Sequence, residues 1–259
     1  EVDGNPTYYH RSGGGGSAYY GLDHKIENVG TLSGKEVTLS YWMKGSSAFT
    51  NAPYRGQNFG SGGSSGVEAA LSTSSITTSW ARYTHTFTFP SISGKTVGAS
   101  SFSQLNVFRA NIANIVVDIA NVQLELGSVA TDFEHRTYAE SLLACQRYYE
   151  IIADGGRAND SPFFGIGHGV KSDQINWFYD FKAEKRAPIT LIVNTVTNGY
   201  YGKNHSTEKN KETLGITMGH QSLHSIMGYM TGITGVTEQS AYSMQCNGAG
   251  CLIAVSAEL

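Results

Sequence analysis

From Val37 to Lys44 apolar and polar side chains alternate strictly. Val37, Leu39, Tyr41 and Met43 fall on one face, and Thr38, Ser40, Trp42 and Lys44 on the other. Period two is the spacing of a strand, and this division of faces predicts a half-buried antiparallel strand. The alternation returns from Trp80 to Phe89, with Tyr83, Phe87 and Phe89 in one phase and Pro90 ending it. Leu105 to Arg109 reads as a shorter strand. Ile115 to Leu126 reads as a long one in which Val116, Val122, Leu124 and Leu126 share a phase. Glycine- and serine-rich stretches at Gly13–Gly16 and Gly60–Gly66 read as exposed loops. Strands of this length between such loops predict a jelly-roll β-sandwich.

The period changes once. Thr137 to Ile152 is free of Gly and Pro and carries Tyr138, Leu142, Cys145 and Tyr149 at steps of four, three and four, with Leu143 and Tyr148 widening the stripe. This predicts an amphipathic helix. After Asp154-Gly155-Gly156 the strand pattern resumes: Trp177, Tyr179 and Phe181 alternate with Phe178 and Asp180, then Ile189, Leu191 and Val193 with Thr190 and Ile192. Leu252 to Glu258 closes the chain as a strand. The expected architecture is all-β: a jelly-roll, carbohydrate-module-like domain over 1–136, a helical joint over 137–152, and a second β-sandwich-like domain over 153–259. No short internal repeat suggests a solenoid or propeller.

Charge narrows the function classes. With 18 Lys and Arg against 21 Asp and Glu, the net charge is −3, and no basic excess exists to neutralise a nucleic-acid backbone. No apolar stretch approaches the ~20 residues that span a bilayer, so membrane insertion is not expected. Three cysteines make no disulfide scaffold. Cys246 and Cys251 flank a four-residue turn whose geometry permits a disulfide without requiring one. Cys145 lies on the apolar stripe. The opening at Glu1 rather than Met reads as a fragment or processed product of something longer.

Catalytic constellations are scarce, and no catalytic residue, cofactor or metal ligand is assigned. Gly62-Gly63-Ser64-Ser65-Gly66 matches G-x-S-x-G, but a nucleophile elbow needs a strand before the serine and a helix after it. His220 and His224 stand at i, i+4, with Gln221 where a zinc protease needs its Glu, and Gly215, Gly219 and Gly228 disfavour a helix there. Asp180 and Glu184 read as solvated charges at a strand end. Asp118 shares its phase with Val116, Val122 and Leu124, which points a carboxylate toward the core. Two readings stand: a bulge at Ala120-Asn121 that re-phases the strand and leaves Asp118 exposed, or a calcium ligand.

What remains suits sugars, whose C–H faces stack on aromatic rings and whose hydroxyls bond to Asn, Asp and His. Asn198, Tyr200, Tyr201, Asn204 and His205 cluster in one polar segment. Tyr19 and Tyr20 follow the glycine run, and Tyr54 stands beside Arg55 in the next loop. These are the candidate glycan contacts.

At the strand-to-helix junction the sequence becomes specific. Asn121 to Arg136, reading NVQLELGSVATDFEHR, then Glu140 and Cys145-Gln-Arg-Tyr-Tyr149, closely resembles a signature of bacteriophage tail-fibre and tail-associated proteins. There it ends a jelly-roll, carbohydrate-module-like domain, and CQRYY opens the next unit. Leu32 to Lys44, Lys185-Arg186-Ala187-Pro188 and the terminal Ala257-Glu258-Leu259 resemble further segments of that family. The departure is Asp132, where the family often has Pro. The resemblance covers residues 31–188 and the end of the chain. It implies a virion protein assembled in the host cytoplasm. This would be the distal, non-enzymatic part of a tail fibre, working as a homotrimer with other tail proteins and recognising a host surface polysaccharide. A structural fibre or decoration segment, a polysaccharide depolymerase and a free-standing carbohydrate module are the alternatives. The motif itself is expected to be structural, with Leu126, Phe133 and the helix as its fastening.

Overall fold

The computed structural model describes residues 6–13, 20–110, 115–155, 163–194, 200–204, 215–233, 235–246 and 251–257. The chain divides into two compact units, 1–135 and 136–258.

In the first unit ten strands follow in order: β1 (His10–Gly13), β2 (Tyr20–Glu27), β3 (Glu36–Gly45), β4 (Phe49–Asn51), β5 (Tyr54–Asn58), β6 (Val67–Ala70), β7 (Ser74–Ile76), β8 (Ala81–Thr88), β9 (Phe102–Ala110) and β10 (Val116–Leu126). Two four-stranded antiparallel sheets form, β1-β10-β3-β8 and β2-β9-β5-β6, with β4 and β7 as a separate pair. Setting that pair aside, the two sheets carry strands 1-8-3-6 and 2-7-4-5 of an eight-strand chain, which is jelly-roll connectivity. The core takes Leu39, Tyr41 and Met43 as the alternation predicts, together with Leu105 and Val107, but from β10 it takes Val117 and Ile119 instead of the expected Val116.

The strand β10 carries the bulge the sequence suggested. Its register against β3 shifts between Ala120 and Gln123, and Asn121 takes a φ of 50°. Before the bulge Val117 and Ile119 face the core; after it Val122 and Leu124 do. Asp118 therefore points away from the core, as re-phasing requires. The expected exposure is wrong, however. Asp118 is buried on the outer face of its sheet, because Arg11 of β1 and Lys44 of β3 stand directly opposite it on either side.

The second unit begins with α1 (Tyr138–Gln146), followed by β11 (Tyr149–Asp154), β12 (Phe163–Lys171), β13 (Gln174–Asp180), β14 (Thr190–Val193), β15 (Tyr200–Lys203), β16 (Gly215–Gln221), β17 (Ser225–Thr231), β18 (Ala241–Cys246) and β19 (Leu252–Ser256). A three-stranded sheet, β11-β19-β14, and a six-stranded one, β15-β18-β12-β13-β17-β16, share one core built on Trp177, Met230, Met244, Tyr242, Ile253 and Val255. Both units are thus β-sandwiches and the chain is all-β.

The helix is shorter than its sequence stripe. It stops at Gln146, and Tyr149 to Asp154 is strand β11 paired to β19. Nor is the stripe buried: Tyr138 is 80% exposed, and Leu142, Leu143 and Cys145 are exposed as well. A capping box holds its start, with Thr137 Oγ1 accepting from the Glu140 amide and the Glu140 carboxylate accepting from the Thr137 amide at 2.9 Å. No described helix is long and apolar enough to cross a membrane.

Candidate functional site

The expected glycan contacts divide sharply. Asn198, His205 and Tyr19 lie outside the described residues, as does the side chain of Tyr20, whose backbone pairs with Ala110 in β2. Tyr200 is a correction: it sits in strand β15 rather than a loop, and its ring is buried in the second core. Its hydroxyl donates to the carbonyls of Asn194 and Leu252 at 2.9 Å and accepts from the Leu252 amide. Burial pushes that phenol up to about 12. It fastens core backbone and presents no face to a ligand. Tyr201 is half-buried and donates to Gln245 Oε1 at 2.6 Å, and Asn204 is half-buried just past the same strand.

Tyr54 is half-buried in strand β5 rather than a loop. The register across β2, β9, β5 and β6 lays three rows on the outer face of that sheet. Asp23, Asn106 and Tyr54 form one row, Lys25, Gln104, Gly56 and Glu68 the next, and Glu27, Phe102 and Asn58 the third. Because Gly56 has no side chain, its row is open at the centre. A groove of about 310 Å³ forms there, lined by Gly56, Gln57, Asn58, Gly66, Glu68 and Gln104.

The polar groups around the groove are only partly used. Tyr54 donates to Glu68 Oε2 at 2.9 Å, and Asn106 donates to Asp23. Asn58 Oδ1 accepts from the Gly60 amide at 2.9 Å. Among the described residues the Gln104 amide, the Asn58 amide nitrogen and Glu68 Oε1 have no partner. Two amides and a carboxylate around an opening beside a tyrosine ring can bond neighbouring hydroxyls while the ring takes an apolar C–H face. Sequence reasoning missed Gln104, Asn58 and Glu68, because nothing local marks a row assembled from three strands.

No protein-family model, curated protein or solved structure matches the chain.

The other motifs resolve as scaffold. Ser64 of the G-x-S-x-G match sits in a loop, where its hydroxyl accepts from the Thr96 amide at 2.9 Å, and no helix follows it. His220 is the penultimate residue of strand β16 and His224 lies in the turn before β17. Both are exposed, whereas Cys246 and Cys251 are buried free thiols. No group of three or more His, Cys, Asp or Glu suits a metal among the described residues. Burial, with Cys251 beside it, pushes the Cys246 thiol up. Asp180 and Glu184 are exposed. Ser72 contacts His85 Nδ1 at 2.9 Å, but that imidazole is buried and continues through Tyr41 to Asn51. This chain of polar groups ties β3, β4 and β8 together. The larger cavity of about 490 Å³ between the sheets is lined chiefly by Leu, Ile and Val, including Leu22, Ile26, Leu105 and Leu124.

The segments that carry the family resemblance have a common structural role within each unit. In the first, β10 folds its own continuation back: Glu125 accepts from the Thr131 amide at 3.0 Å and Gln123 Oε1 from the Glu134 amide at 2.8 Å. These polar ties, rather than Leu126, hold the motif, since Leu126 is 66% exposed. In the second unit CQRYY, KRAP and Ala257 meet. Lys185 Nζ donates to the Gln146 carbonyl and to Glu150 Oε2 at 2.6 Å, both side chains being fully buried. The Arg186 amide donates to the Arg147 carbonyl and the Arg186 guanidinium to the Ala257 carbonyl, while the Ala257 amide donates to Tyr148.

Proposed function

We propose that the chain is the distal segment of a bacteriophage tail fibre that recognises a host surface glycan during adsorption, without enzymatic activity. The observation that carries this reading is the outer face of β2-β9-β5-β6. There, the Gln104 side-chain amide, the Asn58 amide nitrogen and Glu68 Oε1, which have no partner among the described residues, surround the opening over Gly56 beside Tyr54. The family resemblance supplies the virion context. Its support in the fold is the set of hydrogen bonds that joins Gln146, Arg147 and Tyr148 to Lys185, Arg186 and Ala257 of the resembling segments.

The same reading makes the chain a homotrimer. In its favour is the face of the six-stranded sheet turned from the core, where Ile166 and Phe178 are paired neighbours 66% and 49% exposed. Apolar surface of this kind is covered in assemblies built around an axis. Native mass measurement giving three chains supports it, and a monomer overturns it.

The test of recognition is competition. The purified chain is expected to bind susceptible cells, to block phage attachment, and to lose binding after periodate oxidation of the cells. Tyr54→Ala is expected to weaken binding by about ten-fold, the scale of one lost aromatic contact. Gly56→Ala, whose new methyl meets Glu68 Cγ at 3.4 Å and Gln104 Cβ at 3.6 Å in ordinary contact, narrows the groove without forcing the strands apart. A well-folded oligomer that does not bind moves the chain to a structural fibre segment. Release of reducing ends from host polysaccharide overturns the non-enzymatic reading in favour of a depolymerase.

A further inference from the structure

The opposite sheet of the first unit carries a second cavity of different chemistry. About 400 Å³ in volume, it is lined by Arg11, Lys44, Gly45, Ser46, Thr78, Val116 and Asp118, at the lower end of small-ligand sites. Three charged side chains stand in one row across three adjacent strands: Arg11 on β1, Asp118 on β10 and Lys44 on β3. Arg11 grips Asp118 in a fork, Nε to Oδ1 at 2.7 Å and Nη2 to Oδ2 at 2.9 Å. Lys44 Nζ stands 3.7 Å from Oδ2, beyond ordinary hydrogen-bond length. One carboxylate thus sits between two cations, and the lining keeps one positive charge in excess.

The donors are not exhausted either. Among the described residues, Arg11 Nη1 has no partner and no acceptor lies within hydrogen-bond reach of the Lys44 ammonium. Beside them stands an aromatic pair. Lys44 Nζ lies 5.0 Å from the centroid of the Trp80 ring, Tyr9 meets Trp80 edge-on at 5.5 Å, and Arg11 lies 5.4 Å from the Tyr9 centroid. Neither ring lines the cavity itself, but Trp80 is half-buried and Tyr9 exposed beside its two cations, so ring surface remains there for a ligand. The hydroxyls of Ser46 and Thr78 complete the wall, with Ser46 Oγ held by the Val116 amide at 3.0 Å.

We propose that this cavity binds an anionic sugar residue, the two cations taking its carboxylate or phosphate and the Trp80–Tyr9 pair its ring. The inference rests on the reading of the first unit as a glycan-binding module and adds a second, charge-selective site on the other sheet. Asp118 pre-positions Arg11 and Lys44, and an incoming anion completes their coordination. The groove beside Tyr54, bordered by Glu68, would repel the same ligand.

The test is an NMR titration of the Trp80 indole N–H, assigned with Trp80→Phe, using D-glucuronate, D-glucose 6-phosphate, D-glucose and inorganic phosphate as probes. Glucuronate or glucose 6-phosphate is expected to shift the signal saturably, with Kd on the order of 1 mM for about a dozen heavy atoms. Glucose is expected to bind at least ten-fold more weakly. Comparing the two acids separates carboxylate from phosphate as the source of the charge. Lys44→Gln is expected to erase the preference and Lys44→Arg to keep it. Thr78→Glu, at an exposed lining position, gives the same loss should Lys44→Gln disturb the strand. Equal binding of glucose and glucuronate, inorganic phosphate matching the sugar phosphate, or no shift with any probe to about 50 mM each overturns the proposal. Tyr54→Ala is expected to leave this titration unchanged while weakening cell binding, so the two sites fail separately.

Discussion

Two ion pairs, one in each unit, use the same chemistry to opposite ends. In the second unit Lys185 and Glu150 are fully buried, both Glu150 oxygens accept hydrogen bonds, and the Lys185 ammonium has two oxygen acceptors and an aromatic face. Glu150 accepts from Lys185, from Tyr179 at 2.8 Å and from the Lys182 amide, while Lys185 also reaches the Gln146 carbonyl and lies 4.8 Å from the Phe181 centroid. Burial and then the Glu150 hydrogen bond push the Tyr179 phenol up. In the first unit Asp118 is buried but its partners are not: the Arg11 side chain is 59% exposed and Lys44 keeps its ammonium unbonded. A pair sealed in the core is a fastening, whereas a pair with donors left over on a cavity wall is a place for a ligand.

The comparison breaks first, and hardest, at Lys185. Lys185→Met leaves Glu150 charged in the core and is expected to destabilise the second unit by about 3–5 kcal/mol. Glu150→Gln strands the ammonium instead and is expected to cost a similar amount. The double variant is expected to be milder than the sum, with a coupling of roughly 1–3 kcal/mol. Urea unfolding followed through the buried Trp177 reads all three. A cost for Lys185→Met below about 1 kcal/mol would show that the pair is not a fastening.

How much of this was legible follows from the range of each signal. Strand β3 was readable in its span and its inward face because its alternation is local: Val37, Leu39, Tyr41 and Met43 are all buried, but so are Thr38 and Ser40 on the face expected to meet solvent. Trp177 and Phe178 likewise separate into core and outer face. The bulge at Asn121 was readable from a phase conflict. The burial of Asp118 was not, because its partners come from β1 and β3, 107 and 74 residues away in sequence. Strand β1, reading His-Arg-Ser-Gly, has no periodicity to announce it. The helix was overextended because Tyr149 continues a helical spacing that pairing with Ser256 overrides. Glu150 lies between Tyr149 and Ile151 with only its odd polarity as a clue, and its meaning depends on Lys185.

A smaller effect sharpens the comparison from the first unit's side. The Arg11 hydrogen bond holds the Asp118 carboxyl below the usual carboxylate range, with Lys44 adding to it against the opposing effect of burial. A depressed carboxylate stabilises the fold above its unfolded pKa near ~3.9 and loses that contribution as pH falls through the folded value. Asp118→Asn is therefore expected to cost about 1 kcal/mol at pH 7, since Arg11 faces solvent, and nothing once both forms are uncharged in strong acid. Thermal melts of wild type and variant from pH 7 down to pH 2 should converge. Parallel curves would remove the ion pair as the cause.

The smallest effect concerns α1, whose ends are held while its faces are bare. At the C-terminal end Lys185 takes the Gln146 carbonyl, so the buried pair also caps the helix; at the N-terminal end only Thr137 and Glu140 hold each other, both exposed. Thr137→Ala removes the cap and is expected to cost about 1 kcal/mol or less of local helix stability. Because no residue of α1 is buried, that loss should fray the first turn without lowering the unit's melting temperature. Amide hydrogen exchange should accelerate at Glu140 and Ser141 and remain slow at Lys185, whose amide donates to Leu223. A fall in global stability comparable to that of Lys185→Met would mean that α1 is fastened along its faces, and the contrast between saturated and open ends would fail there.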